Sequence, residues 1–164
     1  MISTKPNLII VGAGIVGITI AREAALSQLF GEIIIIEKER QAGYHASSRN
    51  SGVLHSGFYY SPDSKKANFC SEGNKLMRDY ILTNSLSFNP CGKVVVSKNE
   101  ADDKIIEILG NRAKQNNCLV KVLNSSQINK YEPAAKTNQL FLWSPNTWSA
   151  SPIEILNCLL KEIK

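Results

Sequence analysis

Histidine is scarce in this chain of 164 residues: His45 and His55 are the only two. The four cysteines, Cys70, Cys91, Cys118 and Cys158, are widely spaced, form no CxxC pair and approach neither histidine at a metal-ligand spacing. That argues against a structural zinc site and against a disulfide-stapled secreted fold, and it predicts reduced thiols in the cytoplasm. Long apolar runs are lacking too. Leu8 to Ala21 carries no charge, but three glycines interrupt it and Arg22 and Glu23 end it, so it is too short to span a bilayer. No basic stripe interleaved with aromatics is present. The net charge of +5 is spread over 19 basic and 14 acidic residues, with Lys65-Lys66 the only adjacent basic pair. Nucleic acid is therefore not an expected partner, and an anionic cofactor or substrate uses the same mild excess. Peripheral contact with a membrane stays open.

The remaining composition, 43% hydrophobic and 20% charged, is that of a folded globular chain rather than a disordered one. Its most informative stretch is Gly12-Ala13-Gly14-Ile15-Val16-Gly17. The apolar run Leu8 to Val11 before it reads as a buried parallel strand, and Ile18 to Gln28 after it reads as a helix. A second strand, Ile33 to Ile36, ends in Glu37, twenty residues beyond Gly17. Glycines, strand, helix and acid together form the dinucleotide-binding fingerprint. Gly12 permits the tight turn, Gly14 lets a pyrophosphate approach the backbone, and Gly17 lets the helix lie close to the strand. The helix N-terminus offers free amides and a positive dipole end to phosphate. Glu37 is placed to accept hydrogen bonds from the adenosine ribose. The alternative is a βαβ unit whose glycines serve packing alone.

Further along, Lys38 to Gly43 is a polar turn, and Tyr44 to Ser61 is a long segment rich in Ser, Asn, Gly and aromatics without periodicity. Segments of that length are usually functional. Ser61-Pro62-Asp63 is expected to start a helix. Lys93 to Ser97, Leu119 to Leu123 and Leu140 to Trp143 read as strands. Asn99 to Asn116 reads as a helix with Ile105, Ile106, Ile108 and Leu109 inward and Asp102, Asp103 and Lys104 outward. Ser125 to Glu132 reads as a short helix ended by Pro133. Ser151-Pro152-Ile153-Glu154 is a capping box that opens a last helix, whose apolar positions span an unusually wide face.

Several motifs converge: the fingerprint with Glu37-Lys38, the run His45 to Tyr60 containing Asn50-Ser51-Gly52-Val53-Leu54-His55-Ser56-Gly57-Phe58-Tyr59-Tyr60, then Cys70-Ser71-Glu72-Gly73-Asn74, Cys91-Gly92-Lys93 and Tyr131-Glu132-Pro133. Over almost its whole length the chain resembles the FAD-dependent oxidoreductases of the D-amino-acid oxidase superfamily, and within it the members that oxidise L-2-hydroxyglutarate. The resemblance implies an α/β fold: a Rossmann-type FAD-binding βαβ unit with the start of an α+β substrate domain. Residues 1–84 would be the first part of the FAD domain, 85–150 a portion of the substrate domain, and 151–164 the helix returning to the FAD domain. It implies FAD as cofactor, with Gly12, Gly14, Ile15, Val16 and Gly17 at the pyrophosphate and Glu37 and Lys38 at the adenosine ribose. Ser47, Ser48, Arg49, Asn50, Ser51 and Gly52 would run past the diphosphate toward the isoalloxazine. His55 would lie by the reacting face, orienting a carboxylate or taking a hydroxyl proton. His45 reads as structural. Better-known members carry Gly-His where this chain has Ser48-Arg49, a departure that bears on the substrate more than on the cofactor.

The implied reaction is oxidation of a small 2-hydroxy acid, L-2-hydroxyglutarate or a relative, to the 2-oxo acid. An amine or amino-acid oxidase of the same superfamily is the alternative, and a truncated, non-catalytic remnant is another. Family members are more than twice as long, so the resemblance also implies an incomplete enzyme, with a second polypeptide carrying the rest. A two-stranded parallel sheet and a wide apolar terminal helix would then be left without cover.

Overall fold

The computed structural model describes residues 5–163. In chain order its elements are β1 (Leu8–Val11), α1 (Ile15–Ser27), β2 (Ile33–Ile36), β3 (Val53–Leu54), α2 (Lys65–Thr83), β4 (Phe88–Asn89), β5 (Lys93–Val96), α3 (Glu100–Gln115), β6 (Lys121–Asn124), a 3-10 turn (Ser125–Lys130), β7 (Leu140–Ser144), β8 (Trp148–Ala150) and α4 (Pro152–Glu162). Two compact units result. One runs to Gly52 and resumes at Ser151, and the other spans Val53–Ala150.

In the first unit β1 and β2 pair in parallel, from Leu8 opposite Ile33 to Val11 opposite Ile36. The crossover is α1, which buries Ile18, Ala21 and Ala24. It starts at Ile15, three residues before the expected Ile18, because the glycine turn passes directly into helix. It ends at Gln28 in the left-handed conformation, φ 56°. Ile10 is buried, whereas Ile9, Val11, Ile34 and Ile36 are exposed, Val11 at 84%. One face of this sheet is thus covered and the other is open. The helix α4 is capped by the Ser151 hydroxyl, which accepts from the Glu154 amide at 3.3 Å. It packs on α1, burying Leu156 and Leu159, and Arg22 bonds Glu162 across the pair. This corrects the expectation that the terminal helix lacks a surface. Its stripe is narrower than its sequence suggests, and Ile153 stays exposed. Leu156 also lies on Gly43, where a Cβ would meet Leu156 Cδ2 at 2.1 Å.

The second unit holds two antiparallel sheets, ordered β3-β8-β4 and β5-β7-β6. The helix α3 lies on β7 and β6. Phe58, Ile106, Leu109, Ala113 and Leu142 form the core, with Tyr59, Val95, Cys118, Val120 and Leu140 around it. The sequence misassigns the α3 face: Ile105 and Ile108 are half exposed, and Asp103 is buried. Asp103 turns inward because it accepts bonds from the Ser97 hydroxyl, the Asn138 amide group and the Gln139 and Leu140 backbone amides. The helix α2 starts at Lys65, after the expected Ser61-Pro62-Asp63, and is capped by Ser64, whose hydroxyl accepts from the Ala67 amide at 3.1 Å. The segment from Tyr44 to Ser61 is mostly turns and contains the two-residue strand β3.

Compactness divides the chain after Gly52, whereas the family resemblance would carry the first domain to residue 84. The difference is α2. Its buried Asn74 donates from Nδ2 to the carbonyls of Leu54, His55 and Asn146, which ties the helix to the second unit. The fold class is α/β, a Rossmann-type βαβ unit with an α+β portion inserted before its last helix. Among the described residues no helix is long and apolar enough to cross a membrane.

Candidate functional site

The first unit gathers the fingerprint residues around the N-terminus of α1. Gly12 sits at φ +102°, a conformation that L side chains rarely adopt. Its amide donates to the Ile36 carbonyl at 2.7 Å, which fixes the turn to the end of β2. Gly17 is required sterically, since a Cβ there would lie 2.0 Å from the Gly12 carbonyl oxygen. A Cβ on Gly14 would approach Ser47 Oγ at 3.1 Å. Gly14 is the N-cap of α1 and brings no side-chain cap. Among the described residues the amides of Val16 and Gly17 have no acceptor, so the first turn of the helix presents open donors and its positive dipole end. A phosphate group fits such a cradle.

Two side chains border it. Glu37 Oε2 accepts from the Ala13 amide at 2.7 Å and Oε1 from the Glu39 amide at 3.0 Å. The amides of Glu39 and Ala13 hold its carboxyl below the usual carboxylate range. A carboxylate has about four acceptor positions, so acceptor capacity remains for a hydroxyl group. Ser47 Oγ accepts from the Ile15 amide at 2.9 Å, which brings the Ser47–Gly52 segment onto the helix end. Ser48 donates to the Gly43 carbonyl at 2.7 Å, and Asn50 Nδ2 donates to the carbonyls of Ala46 and Ser47 while its Oδ1 receives the Gly52 amide. These bonds hold the segment as successive turns. The Arg49 guanidinium stacks on the Tyr44 ring, 4.6 Å from its centroid. Lys38 is exposed, 3.7 Å from Glu39 Oε1, and Ser51 is exposed. His45 bonds Glu39 at 2.9 Å.

His55 belongs to the second unit and follows β3. Its backbone is pinned, since its carbonyl accepts from Asn74 Nδ2 at 3.2 Å. Among the described residues its ring makes no hydrogen bond. His55 is exposed, and partial withdrawal of its imidazole from water together with the positive charge of Lys93 pushes it below its ordinary pKa. Such a ring is neutral near pH 7 and can accept a proton. Its neighbour Ser56 is buried, with its hydroxyl 3.0 Å from Ser144 Oγ and 3.4 Å from Thr147 Oγ1. Cys118 Sγ donates to the Ser56 carbonyl, and all four cysteines are free thiols. Asn74 and Lys93 escaped assignment in the sequence. Both stand in motifs that carry the family resemblance, but their positions show only once β3, β5 and β7 are in place.

Residues 7–164 match the family model described as FAD dependent oxidoreductase. The chain is 35% identical over 144 residues to the mitochondrial L-2-hydroxyglutarate dehydrogenase of Caenorhabditis elegans, covering 87% of the chain and 33% of that protein. It is 36% identical over 149 residues to the Dictyostelium discoideum protein of the same description, covering 88% and 33%. Among solved structures, the FAD-bound, dithionite-reduced L-alpha-glycerophosphate oxidase of Mycoplasma pneumoniae matches 99% of the chain and 44% of its own length, with TM-score 0.82 and 24% identity. The chain therefore spans about a third of the length of these curated relatives.

Proposed function

The chain belongs to the DAO family of FAD-dependent oxidoreductases, and from that premise we propose that it forms part of an enzyme oxidising L-2-hydroxyglutarate or a related 2-hydroxy acid to the 2-oxo acid. The reading rests above all on the 35% identity with L-2-hydroxyglutarate dehydrogenase over 87% of the chain. The glycine cradle supports it. Open amides at Val16 and Gly17 with no Cβ at Gly12, Gly14 or Gly17 fit the pyrophosphate of FAD, and the spare acceptor positions of Glu37 fit its ribose hydroxyls.

Bound FAD supplies the acceptor for the hydride that leaves the carbinol carbon. The chain's own residues do the rest. Gly12, Gly14, Ile15, Val16 and Gly17 bind pyrophosphate, Glu37 the ribose with Lys38 beside it, and Ser47 to Gly52 lead from the diphosphate toward the isoalloxazine. His55, its pKa lowered by partial desolvation and by Lys93, takes the proton of the substrate hydroxyl at a ring nitrogen. We further propose that additional polypeptide covers the exposed face of Ile9, Val11, Ile34 and Ile36, because parallel sheets are stable when both faces are buried. Four free cysteines fit a reducing compartment such as the cytoplasm, while the named relatives are mitochondrial.

The visible absorption spectrum of the purified chain tests this, alone, with FAD, and with FAD plus L-2-hydroxyglutarate. A resolved flavin band is expected on adding FAD, lost in Gly14→Val. Bleaching by the hydroxy acid supports the substrate assignment, and bleaching by an amino acid instead moves the chain to the amine oxidases. Failure of the chain to perturb the FAD spectrum at any concentration would overturn the cofactor reading.

A further inference from the structure

The corner around His55 carries more positive charge than the chain itself neutralises. Lys93 heads β5 opposite Ser144 of β7, and the Ser144 hydroxyl is 3.0 Å from that of Ser56, the neighbour of His55. Strand register and a buried hydroxyl pair thus place Lys93 and His55 on linked strands, within electrostatic reach of each other. The lysine is held there. Gly92 before it, at φ +67°, lies against Trp143, whose ring would meet a Cβ at 1.8 Å. The Lys93 Nζ sits 4.9 Å over the Tyr59 ring, which packs on Phe58 with centroids 4.0 Å apart. Nearby, Lys66 lies over the Tyr60 ring at 4.6 Å, and Arg112 donates to the Tyr59 carbonyl at 3.2 Å. Lys93 is half-buried, and among the described residues no carboxylate lies within 4.0 Å of it. An ammonium group drawn partly out of water onto an aromatic face attracts an anionic partner.

Resting on the reading of the chain as a hydroxy-acid oxidoreductase, we propose that Lys93 is the anchor for a substrate carboxylate, set so that the substrate hydroxyl faces His55. Pairing has a second consequence. A carboxylate on Lys93 cancels the positive field that weakens His55 as a base. Substrate binding then strengthens the group that must take its proton, and a molecule without the carboxylate does not. Lys93 thereby selects carboxylic acids and couples their binding to the readiness of His55.

NMR of the 164-residue chain tests this with 2-oxoglutarate as probe, following the ring resonances of His55 across pH. The probe is expected to bind and to raise the His55 midpoint. Lys93→Gln is expected to raise that midpoint without ligand and to weaken binding about tenfold or more, with Lys93→Arg retaining most of it. Lys121→Gln, a charge loss of the same size at an exposed position on β6, leaves both readings unchanged. Binding by Lys93→Gln within about twofold of the wild type overturns the proposal, as does no binding to the wild type at about 10 mM. FAD titration of the same samples separates the two readings. Flavin binding without dicarboxylate binding refutes the anchor alone, and dicarboxylate binding without flavin binding refutes the flavoenzyme assignment alone.

Discussion

The two units solve the burial problem in opposite ways. The second unit closes on itself: its antiparallel strands place Leu142 under α3 and bury Phe141 on the opposite face against Tyr131, and many of its buried polar groups pair with one another, Asp103 with Ser97, Asn138 and Leu140, and Ser56 with Ser144 and Thr147. The first unit covers one face of a two-stranded parallel sheet and leaves Ile9, Val11, Ile34 and Ile36 outside. Antiparallel sheets tolerate one wet face, whereas parallel sheets are built for cover on both. The helix end that offers open amides belongs to the unit that is less complete. Binding capacity and unfinished packing therefore occur together, and the closed unit supplies the rigid corner that holds His55.

Five substitutions probe that contrast. Phe141→Ala empties a fully buried position of the second unit, against Tyr131, and is expected to cost about 3–5 kcal/mol in denaturant unfolding. A much smaller loss would mean that this unit is not the closed one. Gly17→Ala drives a Cβ against the Gly12 carbonyl and is expected to cost about 1–3 kcal/mol and to abolish FAD binding, whereas Gly73→Ala, with open space at its Cβ in α2, gains about 0.5–1 kcal/mol. Equal melting shifts for the two would refute the close approach of α1 to the turn.

Acid separates the units next. Glu37 has a folded-state pKa below its unfolded value, so its contribution is complete above about pH 4.3 and is lost as pH falls through the lowered folded value. Glu37→Gln is expected to flatten the loss of stability of the first unit on acidification, read by hydrogen exchange of Gly12 and Ala13. An unchanged pH profile would remove Glu37 from the loop's support. Smallest of all, Val11→Thr is expected to change stability by less than about 0.5 kcal/mol, because that side chain is already in water. A cost like that of Phe141→Ala would show the face to be covered in solution.

Much of the first unit was legible in the sequence because its cues are local. Four-residue apolar runs gave β1 and β2, the glycine spacing gave the turn, and Ser151-Pro152 gave the start of α4. The second unit was read less well. Ile105 and Ile108 were placed inward from periodicity, but the orientation of α3 is set by Asp103, whose partners at 138–140 lie some 35 residues away. The strands β3, β4 and β8 have two or three residues each and exist only because β8 pairs both neighbours. Nothing in a two-residue window signals that. The family resemblance singles out His55, yet the Lys93 charge that adds to its lowered pKa comes from a strand tens of residues away.

Local sequence suffices for the glycine cradle, its acid and the strand-helix-strand order of the first unit, since φ-permissive turns, caps and apolar runs act within a few residues of each other. Long-range packing decides which side chains face inward, that Glu37 holds the Ala13 amide, that Leu156 closes over Gly43, and that the charge of Lys93 reaches His55. Those depend on hydrogen bonds and packing between segments tens of residues apart, whose free energy exists only once the chain has brought them together.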